Sequence, residues 1–308
     1  MLNNWLLLAF AAPMVWALGN LVDVYLVKEA FKNEYDGVII FSLPGFLVLP
    51  LMALPGFSLP DAETTMLALL SGGLMATYFL FYLRAIFITG DVTLIQAIWN
   101  TTAIMVPLLA YFILGEKLSL IQYVGIGVVF LAATILSLGK STRQGVAKIL
   151  LNMTLAVAIF SLNMVIDSRV YAHCEFWSGF ILIILGGSLA GLVLLLARVL
   201  AGKPVGHLLR IERRHLWWLL VANILGTLGT ICSHRAIKFT PAVSYIAVIE
   251  SFMPVFIVVE SALLYLAAKV LAIRNNDTLR AIYEEQVVGV GMKFFVVAIM
   301  AFGIYLIN

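Results

Sequence analysis

Apolar residues in this chain fall in long unbroken runs parted by short polar patches. A run of about 20 apolar residues crosses the hydrocarbon of a bilayer as a helix. The pattern predicts ten spans, at about 5–27, 37–55, 64–86, 91–114, 119–138, 149–168, 176–198, 216–236, 242–267 and 287–307. Each must be helical, because lipid offers no partner to a free backbone amide. A membrane β-barrel would instead alternate apolar and polar residues over about ten positions per strand. The first run has no positive segment before it and exceeds a signal-peptide core, so it reads as the first span. Pro13, Pro44, Pro107 and Pro254, with Gly72 and Gly73, fall inside spans, where membrane helices tolerate them. Gly125, Gly127, Gly186, Gly187 and Gly191 are small enough to let helices approach closely. The two longest connections, Leu196 to His215 and Lys269 to Gln286, are basic and too short for separate domains.

Composition agrees. Of 308 residues, 63% are hydrophobic and 11% charged, against about a quarter charged in soluble domains. The reading is an all-α, multi-pass integral membrane protein of a bacterial-type cytoplasmic membrane, with the lipid bilayer as its first partner. The net charge of +3 is small and the basic residues sit at helix ends, so no nucleic-acid partner is expected. Most lysines and arginines fall on the side opposite the termini, which by the positive-inside rule places both termini outside the cytoplasm. Cys174 and Cys232 are far apart and read as packing residues, with no disulfide framework.

The two halves resemble each other. Trp16-Ala17-Leu18 leads to Asp23 as Phe160-Ser161-Leu162 leads to Asp167. Arg84-Ala85-Ile86 ends the third span and Arg235-Ala236-Ile237 the eighth. Gln122 to Gly127 and Gln286 to Gly291 both fit Q-x-x-G-x-G. The matches come in the same order, which predicts two five-helix repeats, residues 1–140 and 141–308. Five is odd, so the second copy enters the membrane inverted. Inverted repeats are a common construction of secondary transporters, with the solute site near the midplane between the halves.

Leu114-Gly115-Glu116-Lys117-Leu118-Ser119, followed by Gln122-Tyr123-Val124-Gly125, resembles the junction between the fourth and fifth helices of the drug/metabolite transporter superfamily, in particular its ten-helix EamA-like permeases. Pro107, Pro254 and Trp16-Ala17-Leu18-Gly19-Asn20 also match that family's pattern. The resemblance implies transport of small metabolites, often amino acids or drug-like exports, and cytoplasmic termini, the reverse of what the charge count gives. The second copy lacks a Gly-Glu-Lys-Leu-Ser counterpart. Its last connection is longer and charged, with Arg274-Asn275-Asn276-Asp277.

Ionisable side chains inside a bilayer are expensive and mark function by default. Glu250 lies about eight residues into the ninth span and four before Pro254, so about 12 Å deep at 1.5 Å per residue. It is the candidate for binding a proton or a cationic solute; the alternative is a paired structural glutamate. Glu260, ten residues on, lies about 80° around the helix from Glu250 and reads as outside its site. Arg84 and Arg235 either neutralise an anionic group of the solute or snorkel to the interface. Asp23 and Asp167, near their helix ends, read as polar anchors, ion-pair partners or vestibule residues. Trp16, Asn20, Tyr78, Tyr82, Gln96, Trp99, Asn100 and Asn163 are candidates to line a cavity. Tyr78 and Tyr82 are four apart and share a helix face. Aromatic rings beside an acid suit a cation or an aromatic amino acid; the same rings would also serve as lipid-facing or interfacial residues.

No P-loop, H-E-x-x-H or G-x-S-x-G motif occurs. The four histidines, His173, His207, His215 and His234, are scattered, with only His234 well inside a predicted span. No cofactor, metal site or catalytic group is therefore expected. The leading expectation is a secondary transporter, not an enzyme. It moves a small-molecule solute (an amino acid, amine or drug-like compound) by alternating access, as a monomer or homodimer, with Glu250 as the proton-coupling residue. The alternatives are a flippase for lipid or lipid-linked head groups, a membrane-embedded enzyme acting on lipid-linked substrates, and a non-transporting sensor.

Overall fold

A computed structural model describes residues 4–53, 57–89, 92–137, 146–206, 208, 212–270 and 290–307. Among them every regular element is helical. In chain order the elements are α1 (Asn4–Glu29), α2 (Glu34–Ser42) running into a 3₁₀ stretch (Leu43–Ala53), α3 (Ala62–Thr89), α4 (Val92–Trp99), α5 (Thr102–Leu114), α6 (Leu120–Ser137), α7 (Val146–His173), α8 (Phe176–Leu200), α9 (Arg213–Phe239), α10 (Val243–Glu250), α11 (Met253–Val270) and α12 (Val290–Ile307).

Among the described residues, seven segments are long and apolar enough to cross a membrane: Trp5–Glu29, Glu34–Ala53, Ala62–Ile88, Val146–His173, Phe176–Leu200, Arg213–Phe239 and Val243–Leu264. The sequence pattern predicted ten. The other three fall on shorter apolar helices, Thr102–Leu114, Leu120–Ile135 and Phe295–Leu306.

Two of the predicted spans carry a local break. The run predicted as a single span over 91–114 is interrupted after Trp99. There the Thr101 hydroxyl donates to the Ile98 carbonyl at 2.7 Å, which draws the backbone out of the α-helical ladder. The 242–267 run is interrupted in the same way after Glu250, where the Ser251 hydroxyl donates to the Val248 carbonyl at 2.6 Å. Pro254 is the second residue of α11, in the first turn, where a missing amide breaks no helical bond. The 3₁₀ stretch carries Pro44 and Pro50, which remove two amide donors from that segment.

Packing follows small residues. A Cβ on Gly72 of α3 would stand 1.9 Å from the Ile183 carbonyl oxygen, and one on Gly186 of α8 2.2 Å from the Leu69 carbonyl oxygen. The α3 and α8 backbones therefore touch directly, as small residues allow in membranes. α1 packs along α9, α3 lies against both α7 and α8, and α6 packs along α12. A Cβ on Gly303 of α12 would meet the Gly125 carbonyl oxygen of α6 at 3.0 Å.

The polarity of the bundle is inside out relative to a soluble fold. Leu47, Phe112, Leu120 and Leu200 are exposed, whereas Asn100, Asp167, His234 and Glu250 are buried. An apolar exterior around polar interior groups is what lipid as solvent requires. The structure thus gives a multi-helical integral membrane protein. Residues 271–289, with most of the last connection and the Gln286 to Gly289 part of the second Q-x-x-G-x-G match, lie outside the described residues, as does His207.

Candidate functional site

Polar atoms from helices far apart in sequence converge inside this apolar bundle. α3 brings Ser71 and Tyr78, α7 brings Asn163 and Asp167, α9 brings Ser233 and His234, and α10 ends on Glu250. All are buried except Tyr78, which is half-buried.

Hydrogen bonds join them into two groups. The Ser71 hydroxyl donates to Asp167 Oδ1. Asn163 Nδ2 donates to Ser71 Oγ at 2.6 Å and to the Ser71 carbonyl at 3.0 Å. His234 Nε2 stands 3.7 Å from Asp167 Oδ2, and its Nδ1 is 2.8 Å from the Tyr171 hydroxyl. In the second group, Ser233 Oγ donates to Glu250 Oε1 at 2.6 Å. Glu250 Oε2 has no hydrogen-bond partner among the described residues. Ser233 and His234 are consecutive, so one turn of α9 touches both carboxyl groups. The two carboxyls are also within electrostatic reach of each other and of Tyr78.

Between the groups lies a narrow cavity. Its polar wall is Asn163, Asp167, Thr230, Ser233 and His234; its apolar and aromatic wall includes Trp16, Tyr78 and Phe160. The open space is about 10 Å³, room for roughly one water molecule. Behind it the Trp99 ring packs 4.7 Å from Phe160, 5.8 Å from Tyr78 and 5.9 Å from Tyr82.

The predicted residues divide accordingly. Trp16, Tyr78 and Asn163 line the cavity, and Glu250 adjoins it through Ser233. Tyr82 donates its hydroxyl hydrogen to Asn20 Oδ1, and Asn20 Nδ2 donates to Met253 Sδ at 2.8 Å, which ties α1, α3 and α11 together. Gln96 and Trp99 are buried on α4, and Asn100 at the break after it. Gln96 Oε1 has no hydrogen-bond partner among the described residues.

Arg235 stands apart. It is exposed, with its guanidinium 5.2 Å from the Phe176 ring and 5.9 Å from Trp177. Arg84 is held by Glu34 at 3.0 Å and the Tyr35 hydroxyl at 3.1 Å. Neither arginine lines the cavity. Glu260 is buried on α11 and does not line it either. Asp167, read from the sequence as a polar anchor, ion-pair partner or vestibule residue, is 1% exposed on the cavity wall. Ser71, Ser233 and His234 carried no signal as site residues, since a lone serine or histidine in an apolar run has no spacing pattern to expose it. Among the described residues, no three His, Cys, Asp or Glu side chains converge as a metal site needs.

The Leu114–Ser119 junction has a physical role in placing this site. Gly115, with φ at +70°, stops α5 in the left-handed conformation that glycine adopts without strain. Glu116 then reaches the start of α10: its carboxylate accepts the Val243 amide at 3.0 Å and the Ser244 amide at 3.3 Å. An acceptor and a negative charge there satisfy free amides and the positive end of the helix. Ser119 and Gln122 form a reciprocal capping box that starts α6. Gln122 Nε2 also donates to the Tyr245 hydroxyl at 2.7 Å. The junction in the first half thus anchors the helix that carries Glu250.

No family model matches the chain, and no curated protein matches it. A solved structure, described only as the crystal structure of a protein, is similar over 97% of this chain and 94% of its own, with a TM-score of 0.64 at 16% identity. At that identity the likeness is one of fold alone.

Proposed function

We propose that this protein is a secondary transporter that moves a small metabolite across the membrane by alternating access, built from two inverted five-helix halves. The observation that carries the reading is the pair of interrupted helices. α4 ends on Trp99 and α10 ends on Glu250, each followed by a hydroxyl-bonded break. Interrupted helices at the midplane are how many transporter folds build a solute site, because broken backbone is tolerated there only beside protein or a cavity. The polar cavity beside Glu250 satisfies that condition.

Helix pairing supports the repeat. Under the exchange of halves α1 corresponds to α7 and α3 to α9, and the contacts α1–α9 and α3–α7 exchange with one another. α6 and α12, each 18 residues, pair with each other. In this reading the α4–α5 pair, α6 and α12 complete ten spans. The sequence resemblance to EamA-like permeases of the drug/metabolite transporter superfamily points the same way.

The cavity as it stands is too small for a metabolite, so the helices around it must part to admit one. An uncompensated carboxylate in the bundle is costly, so Glu250 carries either a proton or a bound solute group. Exchange between the two would couple transport to protons. A thermal-shift screen of purified protein tests the reading, since a ligand that binds only the folded state raises its stability. Stabilisation by one class of soluble metabolite, lost in Glu250→Gln, is the expected result. No stabilisation by soluble metabolites, with stabilisation by lipid head groups, would turn the reading to a flippase or lipid-acting enzyme.

A further inference from the structure

We infer that the solute of this cavity is a small organic cation carrying an ammonium group, an inference that rests on the cavity being the solute site. Charge is the first ground. Among the described residues, the cavity wall carries one carboxyl, Asp167, beside the His234 imidazole, and Glu250 is bonded to Ser233 of the wall. No lysine or arginine among the described residues lines it. The nearby cations are engaged elsewhere: Lys238 Nζ donates to the Tyr171 and Cys174 carbonyls at 2.8 and 2.7 Å, Arg84 pairs with Glu34, and Arg235 lies over Phe176.

The second ground is an open acceptor. Glu250 is 2% exposed and its Oε2 has no hydrogen-bond partner among the described residues. A buried acceptor left open is costly unless a donor arrives. Glu250 does not line the cavity in this structure; an ammonium admitted as the helices part would supply both the donor and the compensating charge.

The third ground is independent of charge. Trp16, Tyr78 and Phe160 present aromatic rings to the same cavity, and ring faces attract cations most strongly where water is excluded. An anionic solute would meet the Asp167 carboxyl and no lysine or arginine among the described lining residues. A free amino acid would find a carboxyl for its ammonium, and for its carboxylate only the hydroxyl, amide, indole and imidazole donors of the wall. Among the amino acids, amines and drug-like compounds expected from the sequence, that favours the amines.

The test is calorimetric binding to the detergent-purified full chain, with tetramethylammonium and n-butylammonium as probes and butyrate and leucine as comparators. Saturable binding of at least one ammonium, no binding of butyrate, and a loss of tenfold or more in Glu250→Gln or Asp167→Asn is the expected result. Glu260→Gln, which neutralises a buried carboxyl that does not line the cavity, retains ammonium binding, and the selectivity of the wild-type chain among the four probes covers the case in which a carboxyl variant fails to fold. Binding of butyrate or leucine in place of the ammonium probes, no binding of either ammonium, or unchanged ammonium affinity in both carboxyl variants overturns the inference. Flux in proteoliposomes separates the two readings. Ammonium binding without flux removes the transporter and leaves the cation site; flux of an anionic or neutral solute without ammonium binding does the reverse.

Discussion

Ser233 on α9 donates its hydroxyl hydrogen to Glu250 at the end of α10, at 2.6 Å, and the second carboxylate oxygen of Glu250 has no partner among the described residues. Half of the carboxylate is therefore positioned and half is open. Ser233 also belongs to the cavity wall, so the hydroxyl that orients Glu250 is the one that joins it to the cavity.

Glu250→Gln keeps the volume of the side chain and an oxygen that accepts from Ser233. Its thermal stability stays within about 1 kcal/mol of wild type, the ordinary worth of one hydrogen bond. Solute affinity falls, because a hydrogen bond to a charged group contributes about 1.5–3 kcal/mol, roughly 10- to 150-fold. Equilibrium binding of the solute found by the screen, with melting curves on the same samples, checks both parts. Wild-type affinity in the variant would remove Glu250 from the site.

Ser71→Ala removes a hydroxyl that donates to Asp167 and accepts from Asn163. Two buried polar groups lose a partner, at a cost of about 1–3 kcal/mol for each group left unsatisfied. A fall in melting temperature, rescued in part by Ser71→Thr, is the expected outcome.

Gly72 and Gly73 are neighbours with opposite tolerance. A Cβ at Gly72 meets backbone of α8 at 1.9 Å, whereas at Gly73 nothing stands within 4 Å. Gly72→Ala must push α3 and α8 apart, at about 1–3 kcal/mol or more; Gly73→Ala is neutral or slightly stabilising through helix propensity. Yield of folded protein by size-exclusion chromatography reads the difference. Equal behaviour of the two would contradict the close α3–α8 contact.

The sequence exposed some of this arrangement and hid the rest for physical reasons. Glu250 was legible because one carboxylate in an apolar run stands out. Trp16, Tyr78 and Asn163 were legible as amphipathic groups inside predicted spans, and all three line the cavity. Ser71, Ser233 and His234 were not, because their role arises only when α3, α7, α9 and α10 meet. The breaks after Trp99 and Glu250 were hidden too: Thr101 and Ser251 interrupt their helices through bonds to their own backbone, which leaves hydropathy unchanged. Arg235 fitted the repeat pattern, yet that pattern records position along a helix and not direction, and its side chain points to the Phe176 and Trp177 rings.

Asp61 provides a pH-dependent contribution outside the spans. It precedes α3, where its Oδ1 accepts the Thr64 amide at 3.0 Å and its Oδ2 the Thr64 hydroxyl at 2.8 Å. These bonds, the backbone one first, hold its carboxyl below the usual aspartate range. A depressed folded value means that the ionised form stabilises the fold. The contribution is complete above the ordinary aspartate pKa and is lost as pH falls through the folded value. The melting-temperature difference between wild type and Asp61→Asn is therefore flat from neutral pH down to the upper edge of the aspartate range and shrinks below it. A difference that grows with acid would contradict the assignment.

The central claim, that the cavity opens to each side of the membrane in turn, is tested most directly by accessibility. Met75 lines the cavity, and the two native thiols, Cys174 and Cys232, are free. A Met75→Cys variant with both native cysteines replaced by serine, in sealed vesicles of each orientation, is exposed to a membrane-impermeant thiol reagent. Labelling from both sides, slowed by bound solute, is the result that alternating access predicts. Labelling from one side only, in vesicles of both orientations, would show a fixed pocket and contradict transport.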